Sequence, residues 1–296
     1  MTETPTVEMP PVSWTAIGAT WSRALEGDRA DPLFRDDLAS AFLAATGADA
    51  PYAAAQRNVV DAGDVLANPF TAMGDYVAIR TRWMDDVLTA ATGAGLRQVV
   101  VLAAGLDTRA FRLDWPVGTR LFEVDLPELM EFKDGVLRAN AARPSCERIT
   151  IPADLRTDWP AALRQAGFDP ARPVVWLLEG LLHYLSPEDN HRLLAQISSL
   201  SAAGGELITD HIEAAMMGGS NAEAADSTGL KYDALVKGGP GDPENWLRSA
   251  GWTPRLVSTA ETAVALGRPV PPLIDPRIPG SVPDGALFLH GTLPAA

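Results

Sequence analysis

Runs rich in apolar residues recur from residue 99 to the end of the chain, and they predict strands of a buried sheet. They occupy residues 99 to 103, a run that ends at Asp125, and residues 149 to 155, 173 to 180, 205 to 212, 253 to 258 and 286 to 293. Helical segments lie between them, such as residues 127 to 142 and the helix that Ser186 and Pro187 begin. This alternation predicts an α/β fold with a doubly wound, mostly parallel sheet.

The first third of the chain shows helical periodicity instead. Two apolar stripes at helical spacing are formed by Trp14, Ile17, Trp21 and Leu25, and by Tyr76, Ile79, Trp83 and Val87. We therefore predict a disordered tail over residues 1 to 13, a helical cap over residues 14 to 92 that packs on the core, and a sheet domain over residues 93 to 296.

Two insertions are predicted in the sheet domain, at residues 213 to 241 and 260 to 283. The first contains Met216, Met217 and several glycine pairs, and it is either a lid over a substrate or a disordered loop. The second includes residues 267 to 283, whose six prolines exclude regular structure.

Composition and charge narrow the possible partners. With 296 residues, 47% hydrophobic and 21% charged, the chain is expected to form a packed globular core. A net charge of −14 without any basic stripe argues against a nucleic-acid partner. Cys146 is the only cysteine, so neither an intrachain disulfide nor a cysteine-based zinc site is expected. The N-terminal residues lack a basic leader, and no apolar run approaches ~18 residues, so a soluble, cytoplasmic protein without membrane association is predicted.

The segment from residue 98 to 125 carries the first candidate chemistry. Ala104 and Gly105 follow the first strand and allow the backbone to turn sharply and to approach a ligand closely. Asp125 ends the next strand, at the position where open α/β sheets place the acid that binds a ribose. The segment is thus either part of a nucleoside site or an ordinary strand-to-helix turn followed by a solvated acid.

Two phosphate-binding motifs are missing. The loop G-x-x-x-x-G-K-[ST] does not occur, which argues against nucleotide hydrolysis of that type. The dinucleotide pattern G-x-G-x-x-G would require glycine at Ala103, Gly105 and Thr108, and only one of these positions has it. The turn therefore favours a ligand that has a ribose but no pyrophosphate.

Several motifs, taken in order, resemble one known family. The sequences AAGLDTRAFRL, LFEVDLPE, ADL at residues 153 to 155 and LLEGLLHYL are similar to the leucine carboxyl methyltransferase family, and in particular to its actinobacterial branch of S-adenosyl-L-methionine-dependent methyltransferases. RALEGDRADPL at residues 23 to 33 and RTR at residues 80 to 82 extend the resemblance, which covers residues 15 to 296. It implies a seven-stranded class I methyltransferase sheet and S-adenosylmethionine as cofactor.

The resemblance also implies cofactor contacts. Gly105 would lie under the methionine portion, and Asp125 would hydrogen-bond the ribose hydroxyls. Asp154 and Leu155 would border the adenine, with the carboxylate at the exocyclic amine. Glu179 would meet the cofactor amino group. Arg80 matches the arginine that binds the cofactor carboxylate, and Arg23 is a second candidate cation.

Structural roles remain open for some of these residues. Asp154 could cap a turn, and Arg80 could pair with Asp85 or Asp86 on the surface. Two further arginines are expected to form structural pairs rather than to bind the ligand: Arg109 and Arg112, with Asp107, Asp114 or Glu123 as partners.

The methyl acceptor is less defined. In-line transfer from a sulfonium requires alignment and exclusion of water, and an acceptor carboxylate needs no base, whereas a hydroxyl would benefit from one. His183, Tyr184 and His211 lie near strand ends and are candidate catalytic residues, although a buried structural role for His183 is equally open.

We expect an O-methyltransferase that acts on a carboxylate or hydroxyl of a small, apolar metabolite, such as one of secondary metabolism. The alternatives are an NAD-dependent oxidoreductase and a non-catalytic protein that binds S-adenosylmethionine.

Overall fold

A computed structural model describes residues 13–47, 69–217 and 235–294, and this part of the chain contains one seven-stranded sheet. The sheet order is β3-β2-β1-β4-β5-β7-β6. The strands are Gln98–Leu102 (β1), Arg120–Asp125 (β2), Glu147–Pro152 (β3), Val174–Leu178 (β4), Glu206–Ile212 (β5), Thr253–Ser258 (β6) and Ala286–Thr292 (β7).

The first five strands are parallel, and β7 runs antiparallel to both of its neighbours. Every residue of β1 and of β4 is buried, which explains their unbroken apolar sequences. The predicted doubly wound, mostly parallel seven-stranded sheet is confirmed. Because β1 lies between β2 and β4, the strand order reverses there, and open sheets of this kind bind ligands beyond the carboxyl ends of such strands.

Helices precede β1 in the chain and connect the strands of the sheet. Within the described residues they are Ser13–Gly27 (α1), Asp37–Thr46 (α2), Pro69–Gly93 (α3), Arg109–Arg112 (α4), Pro127–Ala139 (α5), Trp159–Gln165 (α6), Pro187–Ser199 (α7), Ala214–Met217 (α8), Pro243–Ser249 (α9) and Thr259–Ala265 (α10), with 3₁₀ turns at Leu182–Tyr184 and Pro272–Ile274. The side chain of Ser186 accepts a hydrogen bond from the N–H of Asp189 and caps α7, as the sequence predicts.

The N-terminal helices pack on the sheet domain. Ile17 and Trp21 of α1 belong to an apolar cluster with Leu129 of α5. From α3, the ring of Trp83 stacks on that of Phe288 of β7, with 4.9 Å between the ring centroids. These contacts pack α1 against α5 and α3 against β7. The boundaries proposed for the tail, the cap and the sheet domain stay a prediction.

Some predicted segments lie outside the described residues, and others differ from the structure. Most of the tail, residues 48 to 68 of the cap, and residues 218 to 234 of the first insertion lie outside the described residues. The proline-rich stretch over residues 267 to 283 is irregular except for the short 3₁₀ turn at Pro272–Ile274. No helix was predicted at α10, and Ser258, whose Oγ accepts from the N–H of Glu261, begins it. In the described ranges, no helix has the length and apolar character needed to cross a membrane.

Candidate active site

The turn after β1 places a backbone N–H group against an acid of β2, and the residue that follows this acid supplies a second N–H group. Ala103 and Gly105 have positive φ angles of 51° and 50°, so the chain reverses tightly. The N–H of Gly105 donates to Oδ2 of Asp125 over 2.5 Å, and that of Leu126 donates to Oδ1 over 2.7 Å. A Cβ atom at Gly105 would lie 3.3 Å from the Cβ of Ala16, so the absence of a side chain permits close contact with α1.

Asp125 is therefore a buried and hydrogen-bonded acid. It is 8% exposed, and burial raises its pKa although the two backbone N–H groups act in the opposite direction. An ionised carboxylate has about four acceptor positions, and two of them are used within the protein. The remaining positions suit two ligand hydroxyls. This environment differs from the solvated acid of an ordinary turn.

A second acid, Glu179, follows β4 and lies between two arginines. Its Oε1 accepts from Nε of Arg80 over 3.0 Å, and its Oε2 accepts from Nη1 of Arg109 over 2.6 Å. Burial would raise the pKa of Glu179, but the guanidinium groups of Arg109 and Arg80 outweigh it and hold the pKa well below its usual range. Glu179 is thus a fixed negative charge near the ends of β1 and β4.

Arg80 of α3 is buried and has a partner that the sequence analysis missed. Its Nη1 lies 3.0 Å from Oδ2 of Asp210, which also accepts from the hydroxyl of Tyr76 over 2.8 Å. Arg80 therefore forms pairs with Glu179 and Asp210, and not the surface pair with Asp85 or Asp86 that the sequence left open. Asp210 was visible in the sequence as an acid near the end of β5, beside β4.

The other arginines form a buried network behind Glu179. Nε of Arg109 lies 2.7 Å from Asp85, and Arg109 also contacts Asp107 as well as Glu179. Arg112 binds Asp85 through both terminal nitrogens. The sequence analysis expected Asp107, Asp114 or Glu123 as partners of these arginines. Arg109 does contact Asp107, but Arg112 pairs with Asp85 and with neither Asp114 nor Glu123. Within the described residues, Nη2 of Arg109 is buried without a hydrogen-bond partner.

Arg23 lies on the cap side of the same cluster. Its Nε atom is 2.8 Å from Asp36, and its Nη2 donates to the backbone oxygen of Leu106 over 2.7 Å. Its charge is one of those that lower the pKa of Glu179. Helix α1 is thereby connected to the turn that follows β1.

Asp154 and Leu155 follow β3, next to the end of β2. The N–H of Ala153 donates to the backbone oxygen of Asp125 over 2.8 Å, which brings the two strand ends together. The carboxylate of Asp154 accepts from the backbone and the guanidinium of Arg156, and the side-chain hydrogen bond of Arg156 lowers the pKa of Asp154. Arg156 is exposed, so it can move if a ligand approaches Asp154.

The three candidate catalytic side chains follow β4 or lie in β5. Burial lowers the pKa of His183 to about 4, and its Nδ1 has no hydrogen-bond partner among the described residues. Its ring contacts that of Tyr184, with 4.1 Å between the centroids, and burial raises the pKa of Tyr184. His211 is also buried, which lowers its pKa. At neutral pH both imidazoles are therefore neutral, whereas the phenol remains protonated.

The described ranges contain no group of three or more His, Cys, Asp or Glu side chains that could hold a metal ion. Three strand ends thus bring Gly105, Asp125 and Glu179 to one edge of the sheet, and α3 adds Arg80. The order of the strands, with β7 antiparallel to its neighbours, is that of a class I methyltransferase fold.

Comparison with known proteins identifies the family. A model of the leucine carboxyl methyltransferase family matches residues 16–198. A relative from Parafrankia sp., named "Putative S-adenosyl-L-methionine-dependent methyltransferase", is 45% identical over 262 residues, which are 88% of this chain and 83% of the relative. The chain belongs to the leucine carboxyl methyltransferase family, and it is an S-adenosylmethionine-dependent methyltransferase. The resemblance seen in the sequence is confirmed.

Two solved structures share the fold. A DUF574 family protein from Streptomyces avermitilis has a TM-score of 0.57 at 16% identity, and the match covers 95% of this chain and 97% of that one. A protein from Thermobifida fusca, described as a "putative methyltransferase", has a TM-score of 0.55 at 20% identity, with 98% and 100% covered. Both agree with the class I methyltransferase sheet.

Proposed function

We propose that the protein is an O-methyltransferase that methylates a carboxylate or hydroxyl of a small, mostly apolar metabolite. The observation that supports its cofactor site is the buried cluster of Arg80, Glu179 and Asp125 at the carboxyl edge of the sheet. A cation and two acids in this position form a matching set for a ligand with a carboxylate, an ammonium group and a ribose.

The donors and acceptors of the cluster fit S-adenosylmethionine. Arg80 would bind the carboxylate, Glu179 the ammonium group and Asp125 the two ribose hydroxyls. Gly105 would lie under the methionine portion, and its missing side chain lets Ala16 of α1 approach the turn closely.

The adenine would lie at the next strand end. Leu155 packs against the main apolar cluster and would contact the ring, and Asp154 would accept from the exocyclic amine. For this contact Arg156 must release part of the carboxylate, which an exposed side chain can do at little cost because exposed ion pairs contribute about 0–1 kcal/mol.

Methyl transfer does not require a covalent bond between the protein and the reactants. When bound, the cofactor would supply an electrophilic methyl group for the acceptor oxygen, and S-adenosylhomocysteine would be the product that leaves. The protein aligns the acceptor and excludes water. For a hydroxyl acceptor, neutral His183 or His211 would take the proton, and Tyr184 would donate a hydrogen bond to the acceptor.

Calorimetric titration with S-adenosylmethionine, S-adenosylhomocysteine and NAD tests the cofactor site. We expect binding of the first two and none of NAD. Binding of NAD alone would contradict the proposal and favour the oxidoreductase alternative.

The acceptor is tested with a panel of small apolar acids and alcohols and S-[methyl-³H]adenosylmethionine. Base treatment releases methanol from a methyl ester but not from an ether, so it separates carboxylate from hydroxyl acceptors. For a hydroxyl acceptor, His183→Ala or His211→Ala should lower kcat by about 100-fold or more. The matched control is His191→Ala, which changes an exposed histidine of α7. Methylation only of nitrogen or sulfur acceptors would refute the proposal.

A further inference from the structure

The carboxylate of Asp210 accepts hydrogen bonds from three groups, two on α3 and one in the turn after β4. Its side chain is 0% exposed. Oδ2 accepts from the hydroxyl of Tyr76 over 2.8 Å and from Nη1 of Arg80 over 3.0 Å, and Oδ1 accepts from the N–H of Gly180 over 2.6 Å. Asp210 therefore binds Arg80, which is a candidate cofactor-binding residue. It also binds the backbone of Gly180, which directly follows Glu179, a second candidate.

The contact with Gly180 determines how the chain leaves β4. Gly180 has a φ angle of 62°, a conformation that favours glycine. A Cβ atom there would lie 3.3 Å from Nη1 of Arg80, so the guanidinium packs directly on this turn. Because the hydrogen bond from Gly180 to Asp210 holds the turn, it also fixes the direction in which the neighbouring Glu179 leaves the strand.

The contact with Tyr76 supports Arg80 from its own helix. Tyr76 precedes Arg80 by one turn of α3, and the guanidinium carbon of Arg80 lies 5.4 Å from the centre of the Tyr76 ring. With the aromatic ring on one side and Asp210 and Glu179 as acceptors, few other orientations of the guanidinium remain.

We propose that Asp210 is a positioning residue for the amino-acid end of the cofactor. It holds Arg80 toward the carboxylate and, through Gly180, holds Glu179 toward the ammonium group. This inference rests on the proposed roles of Arg80 and Glu179. A purely structural role for Asp210, as the counter-charge of a buried arginine, would instead affect every ligand of the site equally.

Two ligands separate these roles. S-adenosylhomocysteine carries the amino-acid end, and 5′-methylthioadenosine has the same nucleoside and sulfur without it. In Asp210→Asn, calorimetry should show about 10- to 100-fold weaker binding of S-adenosylhomocysteine, because a charged hydrogen bond to Arg80 is lost, with less than about 2-fold change for 5′-methylthioadenosine. Unchanged binding of the smaller ligand also shows that the variant is folded.

Tyr76→Phe provides a milder variant if Asp210→Asn does not fold, and it should weaken S-adenosylhomocysteine alone by about 3-fold. The control is Asp86→Asn, which removes an exposed acid of α3 that pairs with Arg82. Equal loss for both ligands, or no loss for either, overturns the positioning role.

Arg80→Gln distinguishes failure of this role from failure of the proposed site. If Arg80→Gln keeps the wild-type preference for S-adenosylhomocysteine, the proposed role of Arg80 fails and the positioning role fails with it. If the preference is lost in Arg80→Gln but kept in Asp210→Asn and Tyr76→Phe, only the positioning role is overturned.

Discussion

Arg109 donates a hydrogen bond to Oε2 of Glu179 over 2.6 Å, while the other carboxylate oxygen is occupied by Arg80. Both guanidinium groups are buried, and the Glu179 side chain is only 16% exposed. A carboxylate enclosed in this way stabilises the folded protein in its ionised form, because its protonation would leave two buried cations without their shared partner.

Glu179→Gln should therefore destabilise the protein at neutral pH, by about 3–5 kcal/mol as for other broken buried pairs. The folded-state pKa of Glu179 is lowered relative to its unfolded pKa of about 4.3, so this stabilisation is complete above about pH 4.3 and is lost as the pH falls further. Urea unfolding between pH 7 and pH 3 should show the wild type approaching the variant at the acid end. Glu188→Gln, at an exposed position of α7, is the control. A difference that does not vary with pH would argue against an ionised Glu179.

Asp125→Ala should weaken the binding of S-adenosylhomocysteine by about 1–3 kcal/mol, since a buried acceptor of the ribose hydroxyls is removed. Asp125→Asn should have a smaller effect because its amide oxygen can still accept from Gly105. Calorimetry measures both, with Asp114→Ala as the exposed control. Wild-type affinity in Asp125→Ala would mean that the ribose lies elsewhere.

His183 should make the protein sensitive to mild acid. Burial lowers its pKa to about 4, whereas an unfolded histidine has a pKa of about 6.5. Between these values the unfolded chain binds more protons than the folded one, so stability falls as the pH falls, by up to about 3 kcal/mol.

His183→Asn should remove this part of the pH dependence, and urea unfolding at pH 7.5 and pH 5 measures it. Buried His211, whose pKa is also lowered, leaves some of the slope in place. The control His191→Asn should keep the wild-type slope. The same slope in His183→Asn would show that burial does not lower the pKa of His183.

The sequence predicted the sheet and the acids at its edge because both are local features. Residues 253 to 258 were predicted as a strand with the bounds of β6, and Glu179 was placed at the end of a buried apolar run. A strand that is buried on both faces has an unbroken apolar sequence, so its burial can be predicted from its own residues. Because parallel strands end at the same edge of the sheet, the side chains that follow them lie at that edge.

The partners of the charged residues could not be predicted in the same way. Arg80 and Asp210 are separated by 130 residues, and periodicity shows that α3 and β5 are buried without showing which of their side chains meet. Helix α10 is a different case, because S-T-A-E at residues 258 to 261 is a capping box that was readable. The sequence analysis assigned residues 260 to 283 to an insertion and predicted no helix there.

The loop before β7 offers a test of packing that does not involve the cofactor. A Cβ atom at Gly285 would lie 2.8 Å from Sδ of Met216 and 2.9 Å from the backbone oxygen of Val282, closer than side chains tolerate. The backbone cannot move freely, because Gly285 donates to Val282 over 3.0 Å and accepts from Glu213 over 2.8 Å. Gly285→Ala should therefore lower the free energy of unfolding by about 1–3 kcal/mol through overpacking.

Gly135→Ala is the matched control: no atom lies within 4 Å of a Cβ there, and alanine in the middle of α5 should stabilise the protein by about 0.5–1 kcal/mol. Urea unfolding measures both variants, and an unchanged or raised free energy of unfolding in Gly285→Ala would contradict the close packing of Gly285 against Met216.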